Sequence, residues 1–315
     1  MNLLLPDRLR KGARIGIVTP SAAVTRTSKP LLTRGIRFLR RLGFETELGR
    51  NALKHLDESA GTPEQRAEDI HYMFSNKEID AIICSQGGAT ANTVLPLVDF
   101  GLIAKNPKVF MGLSNITVLL NSIFARTGLV TFHGNDVMFG FGRRPTRYDE
   151  REFVGRLVEG RVGRVNKNSR WKTIRPGSGE GRLMGGNLPS LLSLAGTSFW
   201  PDLTGVVLFL EAYASPPDEY RSMLSQLKQS GAFDGLNGIL VGYIWGLQAT
   251  AKRRRQTQME DIVHEITREY DFPVVKCDDF GHNCPNTTLP VGARVRLEAE
   301  GGNDSELRIL EPCVN

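Results

Sequence analysis

The sequence predicts an α/β protein: an N-terminal domain built on a parallel sheet flanked by helices, followed by a mixed α+β domain. Three observations predict it. Short apolar, β-rich runs alternate with helix-period stretches over residues 14–124. The texture turns polar and rich in Gly, Pro and Arg after about residue 140. Beyond that stretch, long apolar runs mix with amphipathic segments, and the chain closes on a two-strand pattern.

The first strand is RIGIVTPSA (14–22), ending in Thr-Pro-Ser. KPLLTRGIRFLRRLGF (29–44) carries apolar residues every three or four positions, as a helix does, with Gly43 at its C-terminal end. FETELG (44–49) reads as a strand. TPEQRAEDIHYMFSN (62–76) opens with Thr62, Pro63 and Glu64, a helix-start signature. DAIICSQGG (80–88) is a buried strand running into glycines, and ANTVLPLVDF leads on to the strand KVFMGLS (108–114). In a parallel sheet ligands gather at the carboxyl ends of the strands. Thr19-Pro20-Ser21, Gln86-Gly87-Gly88 and Gly112-Leu113-Ser114 all stand at such ends, and they are expected to converge on one crevice.

GFGRRPTRYDEREF (140–153) and NKNSRWKTIRPGSGEGR (166–182) read as the connection between domains. The expected layout is therefore 1–145, a connection over 146–180, and a second domain over 181–315. In that domain GVVLFLEAY (205–213) and GILVGYIWG (238–246) are buried strands. YRSMLSQLKQSGAF (220–233) and MEDIVHEITREY (259–270) are helix-like, and VGARVRLEAEGGNDSELRILEP (291–312) is a hairpin turning on Gly-Gly-Asn-Asp.

Composition narrows the function. The chain has 315 residues, 40% hydrophobic and 23% charged, enough apolar material for a sizeable core. Its net charge is +6, but aromatics make up only 8% and do not interleave with a basic stripe, so no nucleic-acid partner is expected. The one dense basic run, Lys252-Arg253-Arg254-Arg255, reads as a solvated loop before a helix. MNLLLPDRLRKGAR is too short for a secretory h-region, and no apolar stretch is long enough to span a bilayer. Cys84, Cys277, Cys284 and Cys313 have no CxxC spacing and read as free thiols of a reducing compartment. A cytoplasmic protein with no membrane partner is the expectation.

Ser114 sits between two apolar runs in VFMGLSNITVLLNSIF (109–124). A strand–turn–helix with Gly before Ser exposes the hydroxyl at a sharp bend, with backbone N–H groups aimed at a developing oxyanion. The second glycine of G-x-S-x-G is absent, since Ile116 occupies it. The competing reading is a helix N-cap, the common role of serine before an apolar helical run; on these residues both stand. Gly87-Gly88 is either a second close-approach point for a substrate carbonyl or a plain turn.

A serine nucleophile needs a base, and the base needs an orienting group. His55 and His71 lie in polar stretches and read as surface residues. His133 in TFHGND follows a short strand and is placed to face a cleft. His264 in HEITRE lacks the second histidine of a zinc motif. His282 lies in the turn-rich loop CDDFGHNCPNTTLP, free to point into a cleft. Glu211 ends the apolar strand VVLFLE and is either an orienting carboxylate or an exposed terminus; Asp278 and Asp279 compete for that role. No Walker loop and no G-x-G-x-x-G follow the strands, so neither a nucleotide cofactor nor any other cofactor or metal is expected.

The ordered set GIVTPS, AGTPEQRAEDIHYMF, AIICSQGGATANTVLPLVDF, KVFMGLSNITVLLNSIFARTGLVTFHG, GEGRLMGGNLPSLLSLAGT, VVLFLEAY and FGHNCPNTTLPVGA resembles the LD-carboxypeptidase family of serine peptidases, which includes the microcin C immunity peptidases. The resemblance covers nearly the whole chain. It implies a triad of Ser114 as nucleophile, His282 as general base and Glu211 as orienting carboxylate, with an oxyanion hole at the backbone N–H groups of Gly88 and Asn115. It implies a Rossmann/flavodoxin-like N-terminal domain carrying the serine, a C-terminal domain with a barrel-like sheet carrying the other two, a site at their interface, and a homodimer. The implied substrate is a small peptide, the muropeptide tetrapeptide cut before its terminal D-alanine; a peptidyl- or aminoacyl-nucleotide conjugate is the alternative, for which Trp171 and Trp200 near the connection would supply stacking. A non-catalytic binding module using the same cleft is the rival of another class. One residue departs from the family pattern: Asn115 follows the serine where aspartate is usual.

Overall fold

The computed structural model describes residues 3–246, 258–301 and 304–315. They form two compact units, each discontinuous in sequence. The first comprises Met1–Arg161, Thr288–Gly292 and Pro312–Asn315; the second comprises Val162–Thr287 and Ala293–Glu311. The basic run Lys252–Arg255 lies outside the described residues.

In the first unit, β1 (Arg14–Val18), β2 (Glu45–Leu48), β3 (Ala81–Cys84), β4 (Val109–Gly112) and β5 (Thr131–His133) pair in parallel in the order β2-β1-β3-β4-β5. That is the flavodoxin order, with its switch point between β1 and β3. Every residue of β3 and β4 is buried, as unbroken apolar strands covered on both faces must be. The helices are α1 (Lys29–Arg41), α2 (Pro63–Ser75), α3 (Phe100–Lys105), α4 (Thr117–Thr127) and α5 (Arg147–Leu157). α2 starts on a capping box: Gln65 N–H donates to Thr62 Oγ1 and Thr62 N–H to Gln65 Oε1. A late strand, β12 (Leu289–Val291), pairs antiparallel with β5 and closes that edge. The C-terminal residues also return, since Asn315 N–H donates to Pro6 O at 2.9 Å.

In the second unit, β6 (Gly163–Arg164), β7 (Lys172–Arg175), β8 (Gly177–Asn187), β9 (Val206–Tyr213), β10 (Gly238–Trp245), β11 (Val274–Gly281), β13 (Arg294–Ala299) and β14 (Glu306–Ile309) make one mixed sheet in the order β6-β14-β13-β8-β9-β10-β11-β7. β8 to β11 run parallel; the flanking strands are antiparallel. α6 (Leu188–Leu192), α7 (Pro217–Gln229) and α8 (Met259–Ile266) connect the parallel strands. β13 and β14 form the expected hairpin arms, with Val295 opposite Ile309 and Glu298 opposite Glu306.

The stretch read as a connection holds regular elements. α5 starts on a capping box from Thr146 to Asp149 and buries Tyr148, Phe153 and Leu157. Its charged residues Asp149, Glu152 and Arg156 are buried too: Asn135 Nδ2 donates to Asp149 Oδ1 at 2.7 Å, and Glu152 pairs with Arg161 at 3.4 Å. Paired charges gave this packed helix the composition of a loop. β7 and the start of β8 occupy the rest of the stretch.

Candidate active site

Ser114 stands between β4 and α4, at the head of a short 3₁₀ turn over Ser114–Ile116. Its φ is +64°, the left-handed region that a β-substituted residue enters at a cost of about 1–2 kcal/mol. Its hydroxyl does not cap α4, whose N-cap is Ile116. The bend from strand to helix is strained at Ser114 and leaves its hydroxyl free of the capping role. Ile116, in place of the second glycine, is accommodated because Gly112 has no side chain: a Cβ there would lie 2.7 Å from Ile116 Cγ2.

The other two strand ends come to this bend. A Cβ on Gly87 would lie 2.6 Å from Ser114 Cβ and 3.2 Å from Asn115 N, so the loop after β3 touches the serine through bare backbone. Gly88 has φ +150°, and a Cβ on it would lie 2.5 Å from Ser21 Oγ. Asn115 Oδ1 accepts from Ser21 Oγ at 2.8 Å and from Ala91 N–H at 2.7 Å. Ser21 Oγ accepts in turn from Thr90 N–H at 3.0 Å. Gln86 Nε2 donates to Ala22 O and Ala23 O at 2.9 and 2.8 Å, and Ala22 N–H donates to Gly87 O at 3.1 Å. The expected convergence of the three strand ends is thus a hydrogen-bonded cradle around Ser114, Asn115 and Gly88. Buried Arg66 fixes its rim, reaching Pro20 O at 2.8 Å and Thr90 O at 3.1 Å; burial pulls its guanidinium pKa down.

The second unit holds the other expected pair. Glu211, on β9, is fully buried, and its Oε2 lies 2.6 Å from Nδ1 of His282. His282 follows β11 directly, and its side chain is 16% exposed. Gly281 N–H donates to Asn286 Oδ1 at 2.8 Å and so fixes the turn that presents the imidazole. A carboxylate has no proton to give, so Nδ1 carries the hydrogen and Nε2 is left as the acceptor. A carboxylate that orients an imidazole in this tautomer prepares it to act as a base.

The remaining candidates are not placed for this chemistry. His133 is fully buried in β5, opposite Leu289 and Gly112, and does not face a cleft, because β12 covers the sheet edge there. His71 is half-buried and accepts from Asp99 N–H at 2.9 Å; burial lowers its pKa. Asp279 is fully buried and accepts from Asn168 N–H, Ser169 N–H and Trp171 Nε1, which commits it to the segment before β7. Asp278 pairs with Lys276. Trp171 is itself only 1% exposed and offers no stacking surface. Trp200 is half-buried, and another aromatic pair stands beside His282. Tyr213 lies 4.8 Å from the His282 ring and stacks on Trp245 at 4.6 Å, with an interplanar angle of 10°. Both residues end apolar strands in the sequence; the signal that pointed to Glu211 at a strand end applied equally to Tyr213 two residues later. No group of three or more potential metal ligands occurs among the described residues.

Comparison with known proteins identifies the family. Residues 15–134 match the model of the LD-carboxypeptidase N-terminal domain, and residues 180–297 match that of the LD-carboxypeptidase C-terminal domain. A probable murein peptide carboxypeptidase of Bacillus subtilis is 31% identical over 93% of this chain and 91% of its own. The microcin C7 self-immunity protein MccF of Escherichia coli is 30% identical over 96% of this chain and 95% of its own. A structure of MccF in complex with aspartyl sulfamoyl adenosine superposes with a TM-score of 0.90 at 27% identity, covering 99% of this chain and 100% of that one. With both domain models matched and a relative above thirty per cent identity along almost the full length, this chain belongs to the LD-carboxypeptidase family of serine peptidases.

Proposed function

We propose that the protein is a serine carboxypeptidase that hydrolyses the L-to-D amide bond before the terminal D-alanine of a muropeptide tetrapeptide, in the cytoplasm during murein recycling. The observation that carries the reading is the buried Glu211 carboxylate held 2.6 Å from His282 Nδ1. A carboxylate at Nδ1 orients the imidazole so that Nε2 can serve as the base. Ser114 attacks the amide carbonyl and His282 takes its proton. The N–H groups of Gly88 and Asn115 stabilise the oxyanion, each by about 2.7–4 kcal/mol by analogy with other such donors. His282 then protonates the leaving D-alanine, and a water repeats the sequence to release the acyl-enzyme. Asn115 in place of aspartate fits this scheme, because the position contributes its N–H while its Oδ1 serves the cradle.

The test is mass spectrometry of a tetrapeptide incubated with the protein and with Ser114→Ala. Loss of one alanine with the wild type alone is expected. An intact tetrapeptide in both reactions removes the reading.

A second reading keeps the chemistry and changes the substrate to an aminoacyl- or peptidyl-nucleotide conjugate. Tyr213 favours it: the ring is 48% exposed, backed by Trp245 and adjacent to His282, a flat surface suited to a nucleobase. The MccF relative bound to aspartyl sulfamoyl adenosine points the same way. Tyr213→Ala separates the two readings, since only nucleotide-conjugate turnover should depend on the ring. A homodimer is expected with either substrate and is read by light scattering.

A further inference from the structure

We propose that the first unit carries a separate binding pocket for a polyphosphate group, formed by α1 and the turn that precedes α5. Five arginines, Arg34, Arg37, Arg41, Arg143 and Arg144, line one groove of about 570 Å³, and no acidic residue lines it. Among the described residues, Arg34, Arg37, Arg41 and Arg144 make no ion pair. A concave surface lined by one sign of charge focuses its field and raises the local concentration of anions.

The groove is built rather than accidental. Arg34, Arg37 and Arg41 follow one another at helical spacing along a single face of α1. Arg34 Nε donates to Gly142 O at 2.8 Å, tying that face to the turn that bears Arg143 and Arg144. The helix and the turn meet closely because Gly35 has no side chain; a Cβ there would lie 1.8 Å from Val137 O. Phe38 and Phe141 stack at 5.1 Å beneath the arginines and make a rigid floor. Arg144 has φ +140°, a conformation that costs a non-glycine residue about 1–3 kcal/mol and that clusters at ligand sites. The ordinary role of a basic residue at a helix C-terminus accounts for Arg41 alone.

Shape selects the ligand. A groove of about 570 Å³ has the size of a small-molecule pocket. Nucleic acid would call for an extended basic track rather than one concave cluster. Guanidinium groups bind phosphate oxygens bidentately, and five of them match the charge of a di- or triphosphate. The shared chemistry is a polyphosphate chain, either inorganic or borne by a nucleotide.

The experiment is isothermal titration of the full protein at about 0.15 M salt, where surface attraction is screened. The titrants are inorganic tripolyphosphate, ATP, orthophosphate and a short single-stranded oligonucleotide. The variants are Arg37→Gln/Arg41→Gln and, as a control removing equal charge from exposed positions elsewhere, Arg10→Gln/Arg26→Gln. Expected is saturation at one equivalent of tripolyphosphate or ATP. The groove variant should bind at least about tenfold more weakly, with the control unchanged. Tighter binding of ATP than of tripolyphosphate identifies a nucleotide, and equal binding a bare polyphosphate. Absent saturation, equal weakening in both variants, or an oligonucleotide that outcompetes tripolyphosphate through the same arginines would each overturn the proposal.

Discussion

Ser21 Oγ donates to Asn115 Oδ1 at 2.8 Å, so the loop after the first strand is bonded to the residue that follows Ser114. The same oxygen also accepts from Ala91 N–H. Both contacts need only an acceptor, which a carboxylate supplies equally well. Asn115→Asp should therefore keep the fold and retain activity within a few-fold. Asn115→Ala leaves two buried donors unpaired and should lose about 2–4 kcal/mol. Urea unfolding of the two variants checks this; equal stability of the pair would show that the contacts contribute little.

Ser114→Ala should lower kcat/KM by at least about 10⁴-fold, the scale of nucleophile loss in serine peptidases. Ser114→Gly should be equally inactive yet more stable than Ser114→Ala by about 1–2 kcal/mol, because glycine adopts φ +64° without strain. Calorimetric Tm values of the two inactive proteins measure that difference directly.

Glu211→Gln keeps the volume and a hydrogen bond at 2.6 Å from His282 but removes the charge that favours the imidazolium. A fall in kcat of about 10²–10⁴-fold with a nearly unchanged KM is expected, since the lost interaction strengthens only in the transition state. A rise in KM alone would assign Glu211 to substrate binding.

Gly87→Ala places a Cβ where only 2.6 Å separates it from Ser114 Cβ. The serine or the loop must shift, and misplacement of this size costs about 10²-fold in rate. The variant should retain a cooperative melt while losing activity, as steady-state kinetics beside a thermal scan will show.

Lys108 gives a pH signature. Its ammonium is buried against Met73 O and Asn76 O, and desolvation lowers its pKa to about 8. An unfolded lysine holds its proton to about 10.4. Between those values the unfolded chain binds more protons, so the group's destabilising contribution, full below about pH 8, is relieved as pH rises. The Tm of the wild type should rise relative to Lys108→Met between neutral pH and about pH 10. A difference that stays flat, or moves the other way, contradicts the assignment.

Much of this was legible in the residues. Thr19–Ser21, Gln86–Gly88 and Gly112–Ser114 stood at strand ends by pattern, and parallel topology brings such ends together. The conformation of Ser114 was not legible: cap and elbow share a sequence, and only the sign of φ separates them. α5 was hidden because Asp149, Glu152 and Arg156 are charged yet buried against partners elsewhere in the chain, and such residues read as solvated by hydropathy. His133 and Trp171 looked available because burial by β12, or by Asp279, is a long-range event. The arginine groove escaped notice for a similar reason. Its two halves are about a hundred residues apart, and each alone is an unremarkable basic surface.

β12 has a consequence for how the molecule is made. The strand that seals β5 is residues 289–291, and the segment that pairs with Pro6 follows later still. A ribosome emits the first five strands long before either arrives. Throughout that interval the nascent sheet has a bare edge at β5, the kind of edge that recruits foreign strands. The second unit's stretch from Val162 to Thr287 leaves the tunnel while that edge is still open. The unit whose strands are made first is therefore still open along one edge when most of the second has been made.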